Sequence, residues 1–369
     1  MSYSSVKPNY STTDKIQKEI FDIVLHLKKD SAIYLLITSI TIFVAIYSSA
    51  YGHSNRVSLF SYMYVMKLLV PVSLLTAGCG YFFILLFRRE PKPLRCYWGK
   101  VIIICEYRAR VISGFILLTA ISVFMSCFST IKGLIPLIHP FKFDMLFHDI
   151  DLWLFGGAEP WSVLHFYLYS PYITQVINLC YNLWFFLMWA VLCYFLLASP
   201  SVLRTRFFVC WILSWTILGM ITAMLLSSAG PAFASSLGYN NHSYDLLILL
   251  LQEQDAWLIN RGWGGVYSLD TQNQLWQTYE TGKEMLGSGI SAMPSMHVSI
   301  AVLMALVMGK LNKKLGIVFW LYAAVIYIGS ISLGWHYAVD GIVSAPMTWL
   351  LWKISGNIKL VRFDQHEVS

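Results

Sequence analysis

Ser291-Ala292-Met293-Pro294-Ser295-Met296-His297 leads into an apolar run, and Gly334-Trp335-His336-Tyr337-Ala338-Val339-Asp340 leads into another. Both runs are of membrane-spanning character, so two histidines and an aspartate fall at helix ends, at the edge of a bilayer. Ionisable residues are costly at that depth and mark a candidate reaction centre.

The rest of the chain agrees with that placement. Its 369 residues are 57% hydrophobic and only 12% charged, with a mean hydropathy of +0.61, outside the range of soluble domains. A helical span needs roughly 20 apolar residues. Such runs lie near 31–51, 67–87, 109–130, 174–197, 207–229, 296–309, 315–333 and 338–352. The expected fold is all-α, a polytopic membrane bundle of about eight transmembrane helices. The sixth and eighth runs are short, which suits helices that begin inside a water-accessible pocket.

Four parts follow: a polar amino-terminal segment, 1–30; two accessory spans with a basic loop, 31–108; a core, 109–352; and a tail, 353–369. The polar start lacks the pattern of a cleaved signal, so it is expected to be retained.

Loop charge sets the orientation. Lys7, Lys15, Lys18, Lys28 and Lys29 fall on one side with Arg88, Arg89, Lys92, Arg95, Lys100, Arg108 and Arg110. Arg204, Arg206, Lys310, Lys313, Lys314, Lys353, Lys359 and Arg362 join them, making 20 of the 26 basic residues. By the positive-inside rule this side and both termini are cytoplasmic, and both histidine stretches face the other way. The formal net charge of +7 is thereby a topology signal. Its natural partner is anionic lipid, with no need for nucleic acid. The long segments 131–173 and 231–293 on the histidine side are rich in aromatics, glycine and proline, and are expected to fold as caps.

Seven cysteines show no CxxC spacing, so neither disulfides nor zinc sites are expected. His53, His139, His148, His165 and His242 read as hydrogen-bonded packing residues. His297 and His336 differ. Pro294 suits the first turn of a helix, and the free amides from Ser295 to about Val298 would then face an anion. His297 in that turn is a candidate proton donor to a leaving oxygen. His336 and Asp340, four apart, would share a helical face, the carboxylate holding one ring nitrogen and leaving the other as a nucleophile. Spacing alone leaves a packing role as open as a catalytic one. A metal site lacks a third and fourth ligand at a suitable spacing.

These residues resemble the type 2 phosphatidic acid phosphatase (PAP2) superfamily, in particular its branch of inositol phosphorylceramide synthase-like membrane proteins. Pro294-Ser295-Met296-His297 is similar to the family's P-S-x-H motif and His336 to Asp340 to its closing H-x-x-x-D. Ser227-Ser228-Ala229-Gly230-Pro231 is similar to the branch's first motif. Asp151 to Trp161 and Tyr181-Asn182-Leu183-Trp184-Phe185 extend the likeness to roughly 144–352.

The resemblance implies a PAP2-type helical core and a phosphohistidine mechanism with no cofactor. His336 would attack phosphorus, Asp340 would orient it and His297 would protonate the departing oxygen. Ser295, with Gly230 and Ser330 at the remaining motif positions, would line the phosphoryl site. The first motif, however, carries no base, and Ser330 stands where the usual family has Arg. Fewer cations disfavour a phosphomonoester, with close to two negative charges, more than a diester with one. Transfer of a phospho-headgroup between membrane lipids is therefore the leading expectation, at the periplasmic face of a bacterial inner membrane. Hydrolysis of phosphatidate or a polyprenyl diphosphate is the alternative, followed by a non-catalytic lipid-binding or transport protein.

Arg56, Lys67, Lys132, Lys142, Arg261 and Lys283 are the bases of the histidine side. Arg261 is the first candidate for a substitute clamp. Asp144, Asp149 and Asp151 are candidate holders of an acceptor's hydroxyls, although an exposed acidic loop is the simpler reading for at least two of them.

Overall fold

The computed structural model describes residues 12–239, 243–282, 287 and 289–357. His242, Lys283, Lys7, Lys359 and Arg362 lie outside the described residues. Among those described there is no strand, and the chain is a helical bundle.

An amphipathic helix, α1 (Thr12–Lys29), leads into α2 (Ser31–Ala50), α3 (Ser61–Phe87), α4 (Pro93–Glu106) and the long α5 (Arg108–Ile138). Two short helices, α6 (Asp144–Leu154) and α7 (Pro160–Leu168), connect it to α8 (Pro171–Leu197). Next come α9 (Val202–Leu225), α10 (Ser243–Ile259), α11 (Tyr267–Thr281), α12 (Met296–Leu311), α13 (Lys313–Ser332) and α14 (Ala338–Asn357). Each expected apolar run coincides with a helix.

Six stretches are long and apolar enough to cross a membrane: α2, Ser54–Phe87, α5, α8, α9 and α13. The remaining two expected spans, α12 and α14, fall outside that group for different reasons. With 16 residues, α12 is about 24 Å long, short of the roughly 30 Å hydrocarbon layer. In α14 the polar residues Asp340, Ser344, Thr348 and Ser355 are all buried against neighbouring helices and lower its hydropathy.

At the centre lies α12, buried along almost its whole length from Val298 to Met308. It packs tightly on α13, where a Cβ at Gly316 would stand 2.6 Å from the Cα of Gly309. Small residues permit such close backbone approach, which van der Waals packing rewards in a membrane. On its other side, Ser299 and Thr348 join α12 to α14 through their hydroxyls at 2.7 Å. By contrast, α3 leaves Tyr64, Leu68, Val72, Leu74, Leu75 and Phe87 exposed, an apolar surface suited to lipid.

The alternation of helices gathers the carboxyl ends of α5, α9 and α13 with the amino ends of α8, α12 and α14 at one end of the bundle. The expected caps on that end are folded, as α6 and α7 in one segment and α10 and α11 in the other. Arg204, Arg206, Lys310, Lys313, Lys314 and Lys353 lie at the opposite end. There Arg204 forms a buried ion pair with Asp30, and the Arg206 guanidinium stacks 3.9 Å from the Trp352 ring.

Candidate active site

The amino end of α14 carries the closing motif, but not by the expected route. His336 and Tyr337 precede the helix, which begins at Ala338. Asp340 is in its first turn and reaches back: its Oδ2 accepts the His336 Nδ1–H at 3.2 Å and the Tyr337 backbone N–H at 3.1 Å. The two residues meet because a capping carboxylate folds over the helix start, not because they share a helical face. With Asp340 ionised the carboxylate only accepts, which puts the proton of this pair on Nδ1 and leaves the lone pair of the neutral ring on Nε2. The backbone N–H of His336 donates to the Ser330 carbonyl at 2.9 Å, and His336 and Asp340 are both buried.

Pro294 is also displaced from its expected position. Ser295 is the N-cap of α12, its Oγ accepting the Val298 N–H at 3.4 Å, so Pro294 lies one residue outside the helix. The Ser295 N–H turns to the Asp340 carbonyl at 3.5 Å. Of the four amides expected to be free, those of Met296 and His297 keep no acceptor among the described residues. The Ser295 hydroxyl, having accepted, retains its own proton to donate.

His297 projects between two aromatic rings of α8. Tyr181 stacks on it at 4.5 Å between centroids and Trp184 tilts against it at 4.4 Å, while the Trp184 indole N–H donates to the His297 carbonyl at 3.0 Å. His297 and His336 face each other edge to face with centroids 6.0 Å apart.

Two carboxylates brace this arrangement, and their burial overturns the exposed-loop reading. Asp144 and Asp151 are each 1% exposed, on one face of α6, whereas Asp149 is exposed. Asp144 accepts the N–H groups of Ala229 and Gly230 and the Tyr337 hydroxyl, the last at 3.1 Å. It thus ties the Ser227–Pro231 loop to the closing motif. Asp151 accepts the amides of Ala338 at 2.6 Å and Val339 at 2.8 Å, capping α14. Burial pushes both carboxyls above their ordinary range, Asp151 to about 7, against the pull of those backbone hydrogen bonds. The partners of Asp144 and Asp151 are backbone amides and a tyrosine, so these side chains position the motif.

Gly230 and Ser330 are holders in the same sense. Gly230 has φ of 102° and ψ of 166°, gives its amide to Asp144 at 2.8 Å, and lies under the Trp335 carbonyl. Ser330 is fully buried and its hydroxyl donates to the Tyr327 carbonyl at 2.7 Å. Arg261 is exposed, with its guanidinium 3.7 Å from the Trp257 ring and its nearest acceptor the Trp257 carbonyl. Its contacts are with its own helix end and not with the histidine pair.

His139, His148 and His165 are hydrogen-bonded to the Tyr47 hydroxyl, the Tyr244 hydroxyl and the Ser332 carbonyl, as packing residues would be. All seven cysteines are unpaired thiols. Among the described residues no group of three or more His, Cys, Asp or Glu side chains is placed to hold a metal.

Asp144 and Asp151 as braces, and Tyr181 and Trp184 as walls, were not assigned these roles from sequence. The available signals were local: Asp144, Phe147, His148 and Asp151 fall at i, i+3, i+4 and i+7, a single buried face, and Tyr181 and Trp184 are i, i+3.

Comparison with curated proteins and with solved structures gives no match. A family model described as PAP2 superfamily matches residues 146–354, a segment that contains both histidine motifs, the Ser227–Pro231 loop and Asp151. The match covers more than half of the chain, which therefore belongs to the PAP2 superfamily, whose members are helical membrane proteins comprising phosphatases and phosphotransferases.

Proposed function

We propose that the protein is a multi-pass membrane enzyme that transfers a phospho-headgroup between lipids through a phosphohistidine, in the manner of the inositol phosphorylceramide synthase-like branch. The observation that carries this reading is the His336–Asp340 pair, with Nδ1 held by a buried carboxylate and the ring 6.0 Å from that of His297 between centroids. In the first step Nε2 bonds to phosphorus and the phosphorus–oxygen bond to the leaving alcohol breaks. His297 in its protonated form supplies the proton that alcohol needs. In the second step an acceptor hydroxyl gives its proton to His297, its oxygen bonds to phosphorus, and the nitrogen–phosphorus bond breaks to restore His336. The Ser295 hydroxyl and the amides of Met296 and His297 are the neutral donors to the phosphoryl oxygens.

Transfer is favoured over hydrolysis by the surroundings of His297. Tyr181 and Trp184 pack against it and Trp335 stacks on Tyr181, an aromatic wall that suits a lipid acceptor and limits water. The absence of bases from the Ser227–Pro231 loop and at Ser330 supports a singly charged phosphodiester donor, such as a sphingolipid or glycerolipid headgroup. By the positive-inside rule the termini are cytoplasmic and the reaction faces the periplasm of a bacterial inner membrane.

The test is phosphorus NMR with lipid mass spectrometry on the protein in bilayer discs, given a mixed lipid extract and a ceramide or diacylglycerol acceptor, beside His336→Ala. A new phosphodiester lipid made only by wild type is the expected result. Orthophosphate made only by wild type would assign hydrolysis instead, and identical spectra for both proteins would sink the phosphohistidine.

A further inference from the structure

Phosphoryl transfer at His336 concentrates negative charge on the non-bridging oxygens, and neither the first motif nor position 330 supplies a base to meet it. The remaining candidates are the bases of the histidine end. Arg56, before α3, is already partnered; Lys67 is exposed, with its ammonium 4.9 Å from the Tyr64 ring; Lys142 is exposed; and Arg261 stacks on Trp257. Lys132, in the last two turns of α5, is different.

Several independent contacts place it. Four residues earlier on α5, the Phe128 ring and the side chain of Met296, the neighbour of His297, meet over Gly219: a Cβ there would lie 2.9 Å from Phe128 and 3.3 Å from the Met296 sulfur. Lys132 is thus one helical turn beyond the level of Met296, toward the site end. The segment that leads into Pro294-Ser295-Met296-His297 crosses directly over it. The Gly287 N–H donates to Ser129 Oγ at 3.2 Å, and a Cβ at Gly289 would stand 2.5 Å from the Lys132 carbonyl oxygen and 2.6 Å from its Cγ. Three residues on, the Ala292 N–H pairs with the Ser228 carbonyl at 2.9 Å, and the Ser227 hydroxyl donates to the His139 carbonyl at the end of α5. Lys132 therefore stands where α5, the segment before His297 and the Ser227–Pro231 loop converge.

Among the described residues no carboxylate pairs with Lys132, and its side chain is half-buried. An ammonium withdrawn from water without a counter-ion is costly, and such a group fits an anionic ligand.

We propose that Lys132 is the cation that grips the substrate phosphate, brought from a neighbouring helix to the place the family's motif bases would serve. The assignment rests on the phosphoryl-transfer reading of the site. One ammonium matches the single charge of a phosphodiester and leaves half the charge of a phosphomonoester unmet, which makes Lys132 a determinant of substrate class as well as of affinity.

The test measures binding of inorganic phosphate to the full chain in bilayer discs by calorimetry, for wild type, Lys132→Met, Lys132→Arg and His336→Ala, with a melting curve for each. Methionine keeps most of the aliphatic stem, so packing over Gly289 is retained. The expected result is a loss of affinity of about 10- to 100-fold in Lys132→Met, the worth of a charge-assisted hydrogen bond, with an unchanged melting curve and near wild-type affinity in Lys132→Arg. His336→Ala keeps phosphate affinity within a few-fold, since the clamp is intact. Equal affinity of wild type and Lys132→Met, or no phosphate binding by wild type, overturns the proposal. If Lys132→Met melts early, Lys132→Arg against Lys132→Gln decides by charge alone, and equal affinities there overturn it too. A failure of the phosphohistidine would show separately, as lipid turnover that survives in His336→Ala while the phosphate affinities still rank by the charge at position 132.

Discussion

Replacing Gly230 by alanine tests the link between the first motif and the reacting histidine. Two penalties can be worked out separately. Gly230 has φ of 102° and ψ of 166°, a region in which an L-residue is strained by roughly 1–3 kcal/mol. The added Cβ would also stand 2.8 Å from the Trp335 carbonyl oxygen and 3.0 Å from the Ala292 Cβ. The carbonyl belongs to backbone that is tied down on both sides, by the Ala232 N–H on Gly334 O and by the His336 N–H on Ser330 O. Overpacking of this kind costs about 1–3 kcal/mol, so the whole change costs roughly 2–6 kcal/mol. Gly52→Ala is the control: its φ is 75°, but nothing lies within 4 Å of a Cβ there, so it carries only the roughly 1–2 kcal/mol of positive φ. The assay is thermal unfolding followed by tryptophan fluorescence in bilayer discs, with lipid turnover measured on the same preparations. Gly230→Ala should be clearly the less stable of the two. It should also lose turnover by about 100-fold, because relief of the clash moves Trp335 and with it His336, whereas Gly52→Ala keeps its activity. Equal stability and equal turnover in the two variants would refute the claim that the Gly230–Trp335 contact holds the histidine in place.

Two further outcomes concern the braces. Tyr337→Phe removes one of three donors to Asp144 and should cost about 1 kcal/mol, whereas Asp144→Ala strands two buried amides and a hydroxyl and should cost several. In the Asp144→Ala background the tyrosine change should then be neutral or stabilising, and strict additivity in this double-mutant cycle would show that the hydrogen bond contributes nothing. Asp151 sets a pH dependence. Its folded value of about 7 lies above the ordinary carboxyl value of 3.8, so between those limits the folded state holds the extra proton. Stability from this group is therefore full at low pH and declines as pH rises, by up to about 1.4 kcal/mol per unit, levelling off above about 7. Melting curves from pH 5 to 8 should show a downward slope in wild type that is flatter in Asp151→Asn; a parallel or upward wild-type slope would contradict the burial argument.

Much of the bundle was legible in the linear chain because its causes are local. An apolar run long enough to cross a bilayer forms a helix wherever it occurs, since unpaired backbone groups are intolerable there, and every expected run is a helix. The histidines and aspartate were legible for a similar reason: they are polar residues at the borders of such runs. Boundaries were less so. The fifth span stops at Leu225 and not at 229, because Ala229 and Gly230 give their amides to Asp144, a residue far away in sequence. Pro294 was expected inside a helix that starts two residues later, because Ser295 takes the cap.

The sequence by itself determined the all-helical class, the alternation that carries both histidine motifs to one end, and the residue types available for chemistry there. Only the tertiary structure decided what those residues do to one another. That Asp340 reaches His336 over a helix start, that Asp144 holds the Ala229 and Gly230 amides and the Tyr337 hydroxyl while Asp151 caps α14, and that Lys132 lies under the segment before His297 whereas Arg261 stacks on Trp257 are facts of tertiary packing. Periodicity and charge pattern report the environment each residue seeks. They do not report which of many chemically equivalent partners the packed bundle brings within hydrogen-bonding distance.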